Sequence, residues 1–214
     1  MYLTFAASHD RFDLLGVTVT PANSWWKAGT EATRKIFRAL YRSNEASSAS
    51  SSDRQPLQVA ESTLPGRNPF PDAWRYDCIA INLLPQLNSF ESLEEAHRLQ
   101  EKGPGVSGEA LLAKTLLGSE TPVTLIVTGP LTNLAWVLDN FPKASSRIAK
   151  VLVMGGAIDA PGNVSVEGFD GSAEWNFFWD PIAAKRVWDS DLEVVLTPLD
   201  ATNSLPITKE MILR

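Results

Sequence analysis

The chain has 214 residues, 44% of them hydrophobic and 21% charged, proportions that exclude a disordered chain, a collagen-like repeat and a coiled coil. Lys and Arg number 19 against 25 Asp and Glu, and the resulting net charge of −6 is the wrong sign for wrapping phosphate backbones, so no nucleic-acid partner is expected. The single cysteine, Cys78, forbids an intrachain disulfide and a multi-cysteine zinc site, and no apolar run reaches the roughly 18 residues of a membrane span, so the expectation is a reducing, cytoplasmic setting without a membrane partner.

Residues 1–8, MYLTFAAS, are apolar and helix-like but carry neither a cap nor a polar lead-in. DLLGVTVTP, residues 13–21, is β-branched and closed by proline, and it reads as a buried strand. Asn23 and Ser24 offer an N-cap to a helix whose apolar stripe is Trp25, Ala28, Ala32, Ile36 and Leu40. That stripe makes core packing the better use of Trp25 and Trp26 than lining a pocket. A flexible serine-rich surface loop follows over 43–55, with six serines in residues 43–52.

PLQVA gives a short strand and the proline-rich NPFPDAW, residues 68–74, a turn that leads into Trp74. Residues 91–102 and 108–117 read as helices. PVTLIVT, residues 122–128, is a continuous apolar run of the kind buried on both faces of a parallel sheet. Gly129-Pro130 ends it, with Pro130 at the first position of a helix that buries Leu131, Leu134, Ala135 and Leu138. KVLVMGG (150–156) and LEVVLTPLD (192–200) are two more buried strands, separated by an irregular stretch and a helix from Pro181 to Trp188. Alternation of strand and helix predicts an α/β fold with a mainly parallel central sheet flanked by helices. Ligands of such sheets sit beyond the carboxyl ends of the strands, which directs attention to Asn23, Thr128–Asn133, Gly155–Asn176 and Asp200–Asn203.

Gly103-Pro-Gly105-Val-Ser-Gly108 matches G-x-G-x-x-G, but it follows a helical segment where a dinucleotide site needs a strand. No G-x-S-x-G, Walker or H-E-x-x-H sequence occurs, and the two histidines, His9 and His97, carry no motif. The remaining polar groups cluster at strand ends: Asn163, Glu174, Asn176 and Asp180. Taken singly, Asn163 serves as a left-handed turn residue, Asn176 as a turn or cap, and Asp180 as an N-cap before Pro181. Together, a carboxylate beside two amides, flanked by Trp175, Phe177, Phe178 and Trp179, can hold adjacent sugar hydroxyls while apolar walls exclude water.

VTGPLTNLAWVL, VLVMGGAIDAPGNV, DGSAEWNFFWDPIAAKRV and PLDATN stand in the order and spacing of the nucleoside hydrolase family, the inosine-uridine-preferring ribohydrolases, which this chain resembles over nearly all its length. NPFPDAW resembles more narrowly the purine-specific, inosine-adenosine-guanosine-preferring branch. The resemblance implies a Rossmann-like sheet enzyme that hydrolyses the N-glycosidic bond of ribonucleosides in purine salvage, binding ribose and activating water with calcium. Residue by residue it implies that the Thr128 backbone carbonyl is a calcium ligand and that Asn163, Glu174 and Asn176 hydrogen-bond the ribose hydroxyls. It further implies that Met154 packs near the ribose, that Trp74 stacks on the purine, and that Asn23 lies beside the metal and ribose pocket. The family's acidic D-x-D-x-x-x-D-D cluster would fall before Met1, so no catalytic base is assigned within the chain, and residues 1–214 are expected to be part of a larger hydrolase domain, a homo-oligomer when intact. Asp10 and Asp13 precede a strand and so lie at its wrong end to replace that cluster. A non-catalytic nucleoside- or ribose-binding remnant is the alternative expectation, and an unstable fragment without function is a third.

Overall fold

Runs rich in Val, Ile, Leu and Thr form four of the five described strands, Val59–Glu61 being the exception, and the longer helices between them form where apolar residues recur at helical spacing. The computed structural model describes residues 12–45, 57–68, 70–89, 105–206, 208 and 210. The chain divides into two units, one of Met1–Pro65 with Pro71–Thr115 and one of Gly66–Phe70 with Leu116–Arg214.

In the first unit, β1 (Val17–Val19) and β2 (Val59–Glu61) pair in parallel, Val17 opposite Val59 and Val19 opposite Glu61. Between them runs α1 (Trp26–Glu45), which ends inside the segment expected to be a loop from residue 43. Its buried positions differ from the predicted stripe: Ala32 is buried as expected, but Gly29, Thr30 and Phe37 are buried where Ala28 and Ile36 remain partly exposed. Phe37 packs on Val59 with Leu14, Val17, Val19 and Leu57 around it, so the face turned to the strands lies about one position away from the one the spacing suggested. The basic side chains of α1 secure the helix along its flank. Arg34 donates to the Val59 carbonyl at 2.9 Å, and the Lys35 Nζ donates to the Asn82 carbonyl and to Asn88 Oδ1 at 3.0 and 2.7 Å.

Two short helices, α2 (Asp72–Arg75) and α3 (Asp77–Asn82), and later α4 (Gly108–Gly118) follow. Trp25 is partly buried, with its ring edge-on to Tyr76 at 5.9 Å and the Arg75 guanidinium 4.1 Å above it, so it is used in packing as expected. Its backbone N–H donates to the buried Cys78 thiol. The predicted helix over 91–102, the N-terminal eight residues, His9, Asp10, His97 and the serine-rich stretch from residue 46 lie outside the described residues.

In the second unit, β3 (Val123–Val127), β4 (Ile148–Met154) and β5 (Val194–Thr197) form a parallel sheet in the order β3-β4-β5, with Val127 opposite Val153 and Val153 opposite Leu196. The connections carry α5 (Thr132–Asn140), α6 (Trp175–Trp179) and α7 (Pro181–Trp188), and α8 (Leu199–Thr202) follows β5. Leu131, Leu134, Ala135 and Leu138 are buried as the spacing required. Pro130, however, precedes the helix by two residues, and Leu131 occupies the N-cap position. The expectation that 122–128 is buried on both faces fails as well. Thr124 and Ile126 point to an exposed face, Ile126 being 55% accessible, and Val195 on β5 is exposed on the same side. An unbroken apolar run marks a strand, and whether something covers each face depends on neighbours the run does not encode. No described helix is long and apolar enough to cross a membrane.

A candidate ribose site at the carboxyl ends of the second sheet

The polar cluster is built from the loops that leave β3 and β4. Five aromatic-rich residues, Trp175-Asn-Phe-Phe-Trp179, form α6 where the sequence suggested only an irregular stretch, and Glu174 is its N-cap. The Glu174 side chain is 3% exposed. Its Oε2 accepts three backbone N–H groups: Gly156 at 3.0 Å, Asn176 at 2.9 Å and Phe177 at 3.2 Å. Its Oε1 receives no hydrogen bond from a described residue. One oxygen therefore ties the helix start to the loop after β4, and the other carries lone pairs that no described residue fills.

Asn176 is held from the opposite side. Its Nδ2 donates to the Met154 carbonyl at 3.1 Å and lies 3.5 Å from the Thr128 carbonyl and 3.4 Å from the Met154 Sδ. With its donor group spent on carbonyls at the ends of β3 and β4, its Oδ1 is left as an acceptor. Asn163 accepts the Trp175 N–H on Oδ1 at 3.0 Å, and its own N–H donates to the Ala173 carbonyl at 2.9 Å, which leaves its Nδ2 as a donor. Its backbone is not left-handed, since every positive φ among the described residues belongs to glycine, so the turn role expected of Asn163 is not the one it plays.

Thr128, Met154, Asn163, Glu174 and Asn176 are thus joined by one hydrogen-bonded network. Two glycines permit it. A Cβ on Gly155 would stand 2.6 Å from the Phe177 ring, and one on Gly162 would stand 2.3 Å from the Ala173 carbonyl oxygen, so a side chain at either position would push apart the strands of the loop. Asn68, from NPFPDAW, donates from Nδ2 to the Phe178 carbonyl at 2.6 Å, and Phe70 stacks on Trp175 at 4.6 Å. Trp74 and Asn23 belong to the first unit, where Trp74 is 46% exposed on α2 and Asn23 is exposed in the bend after β1.

Asp180 has a different job. Its Oδ1 caps α7 by accepting from the Ala183 N–H, as the D-P pair suggested, and its Oδ2 accepts from the Thr132 hydroxyl at 2.8 Å. Both oxygens are used inside the fold, which takes Asp180 out of the ligand-binding set. Sequence reasoning missed the Gly156 N–H as a partner of Glu174, and it gave Asp200 no task beyond its place at a strand end. Asp200 accepts the N–H groups of Ile158, Asp159 and Ala160, which hold its carboxyl below the ordinary value of 3.8.

A calcium ion takes six to eight oxygen ligands. Of the residues expected to bind one, the structure describes the exposed Thr128 carbonyl, and no group of three or more His, Cys, Asp or Glu able to hold a metal occurs among the described residues. These residues do not by themselves make a calcium site.

Comparison with known proteins converges on one family. The model of the inosine-uridine preferring nucleoside hydrolase family matches residues 1–214. Pyrimidine-specific ribonucleoside hydrolase RihA of Escherichia coli is 43% identical over 100 residues, which are 47% of this chain and 30% of RihA. The Escherichia fergusonii RihA is 40% identical over the same shares. Among solved structures, the inosine-uridine preferring nucleoside hydrolase from Bacillus anthracis superposes with a TM-score of 0.81 at 34% identity, covering 97% of this chain and 63% of its own. The purine-preferring ribonucleoside hydrolase from Gardnerella vaginalis shares the fold, with a TM-score of 0.69 at 22% identity. The chain thus matches less than two thirds of the length of these relatives, and their names divide between purine and pyrimidine bases. On the family match across its whole length, the chain belongs to the inosine-uridine preferring nucleoside hydrolases.

Proposed function

We propose that the network around Glu174 holds the ribose of a ribonucleoside and that the protein hydrolyses its N-glycosidic bond, with water added at C1′ and the base released. The observation that carries this reading is the split use of the Glu174 carboxylate, with Oε2 saturated by three N–H groups and Oε1 without a described partner. Two acceptors, Glu174 Oε1 and Asn176 Oδ1, and one donor, Asn163 Nδ2, match the mixed donor and acceptor character of sugar hydroxyls. A buried carboxylate beside the sugar also favours the positive charge that develops on the ring as the glycosidic bond lengthens. Met154 supplies an apolar wall next to its own carbonyl, which Asn176 binds.

The general base is not assigned to any described residue. Calcium enters this reading through the family resemblance alone, with the Thr128 carbonyl as its one described oxygen, and no step is routed through it. For the base, we favour a purine, because NPFPDAW resembles the purine-specific branch of the family. The 43% identity with RihA over 100 residues favours a pyrimidine instead. Release of free base from inosine and uridine, followed by chromatography with and without calcium, tests the reading, and the ratio of the two kcat/KM values decides the base. Absence of base release from either nucleoside overturns the hydrolytic reading.

A second reading is nucleoside binding without hydrolysis. It is motivated by the Glu174 and Asn176 groups, which can hold a sugar whether or not a water is activated beside it. Calorimetric binding of inosine without release of hypoxanthine supports it, and turnover rules it out.

A further inference from the structure

Between β4 and Asn163 the chain makes a loop that is held almost entirely from one place, the junction of β5 and α8. The Gly155 N–H donates to the Thr197 carbonyl at 3.2 Å, and the Leu199 N–H donates to the Gly156 carbonyl at 2.9 Å. The Asp200 carboxylate then gathers three successive backbone donors, with Ile158 N on Oδ2 at 2.9 Å and Asp159 N and Ala160 N on Oδ1 at 2.8 and 2.9 Å. Consecutive N–H groups turned to one side form an anion-binding concavity, and in this fold an internal carboxylate fills it. Asp170 shows what a merely local turn looks like: its Oδ1 accepts only from Ser172, two residues on. Asp200 instead reaches back 40 to 42 residues.

The clamp lies between two attachments that matter for ligand binding. Upstream, the Gly156 N–H fixes Glu174 Oε2. Downstream, Asn163 is tied through its backbone to Ala173 and through Oδ1 to Trp175. We infer that Asp200 is a positioning residue for the candidate ribose site, holding loop 155–163 so that the Gly156 N–H and the Asn163 amide keep their places. The inference rests on the ribose reading above and adds to it a residue that does not touch the sugar.

The test uses the full chain with Asp200→Ala and Asp200→Asn. Asp200→Ala removes both acceptor oxygens and with them all three hydrogen bonds. Asp200→Asn keeps Oδ1 for Asp159 and Ala160 but turns an amide donor toward the Ile158 N–H. Hydrogen exchange of amides 156–163 is expected to quicken at least about tenfold in Asp200→Ala, with an intermediate change in Asp200→Asn and none in α5. The inosine Kd is expected to rise about tenfold in Asp200→Ala and a few-fold in Asp200→Asn. In an Asn163→Ala background Asp200→Ala should shift Kd by only about threefold, because one of the two groups being positioned is already gone. A general loss of stability would instead act equally in both backgrounds. If Asp200→Ala loses its cooperative unfolding transition, Asp200→Asn carries the same cycle. Unchanged exchange at 156–163, or an effect of full size in the Asn163→Ala background, overturns the inference. Failure of the wild-type chain to bind inosine overturns the ribose reading itself, so the two failures are distinct.

Discussion

Two glutamates, one in each unit, are almost equally buried and do different things. Glu109, 4% exposed at the start of α4, spends both oxygens inside the fold, accepting the Thr63 hydroxyl on Oε1 and the Thr63 N–H on Oε2, with Ser107 as a further donor. Glu174, 3% exposed at the start of α6, concentrates three backbone donors on Oε2 and leaves Oε1 without a partner among the described residues. Both are helix-start carboxylates in favourable dipole positions. Burial therefore does not set the two acids apart; the acceptor without a described partner does. Asp180 falls on the structural side, since Thr132 and Ala183 occupy its two oxygens.

Substitutions that separate the two kinds of carboxylate sharpen this contrast. The largest effect is expected at Glu174→Ala, which strips the acceptor from three backbone N–H groups and removes the acceptor proposed for the sugar. Unfolding free energy should fall by about 1–3 kcal/mol and kcat/KM for nucleosides by at least about a hundredfold, measured by urea denaturation and base release. Asp180→Ala comes next, with a similar stability loss of about 1–3 kcal/mol from the orphaned Thr132 hydroxyl and the uncapped α7, but with nucleoside Kd within about twofold of wild type. A Kd shift as large as that of Glu174→Ala would erase the distinction between the two acids.

The pH dependence of stability separates Glu109 in another way. Burial by itself raises its carboxyl, but hydrogen bonds from Thr63 and Ser107 outweigh burial and leave it below the ordinary 4.5. A depressed folded value means that its contribution is complete above about pH 4.5 and is lost as the pH falls through the folded value. Urea midpoints of wild type and Glu109→Gln should therefore converge as the pH is lowered below 4.5, with no matching change in nucleoside affinity. The smallest effect is expected at the exposed Arg186–Asp139 pair, 2.6 Å apart between α7 and α5, where Arg186→Ala should cost no more than about 0.5 kcal/mol in the same urea experiment.

The second unit was the more legible of the two. Its strands are largely apolar runs, α7 begins at a D-P pair, and Asn163, Glu174 and Asn176, grouped from the sequence, lie close together in the structure. What the sequence hid was partnership across long separations. That Asp180 meets Thr132, 48 residues away, or that Asp200 meets Ile158, 42 residues away, follows from the sheet order and leaves no local signal. The α6 helix was missed because five residues rich in Trp and Phe carry no helical period. In α1 the period was evident, but its phase was set by Phe37 finding Val59 and shifted the buried face away from Ile36. The exposed side of β3 shows the same limit, since Ile126 is as apolar as the partly buried Leu125 and Val127 beside it.

The central claim is that Glu174 divides its oxygens between fold and ligand, and Glu174→Gln tests it most directly. A glutamine can offer its oxygen to the three N–H groups while placing an amide where Oε1 stood. Calorimetric titration with inosine, run beside thermal unfolding of wild type, Glu174→Gln and Glu109→Gln, reads both roles at once. The expected result is a cooperative transition in all three proteins and a Kd about 10- to 100-fold weaker in Glu174→Gln alone, the scale of a hydrogen bond to a charged acceptor. Wild-type affinity in Glu174→Gln, or an equal loss in Glu109→Gln, would contradict it.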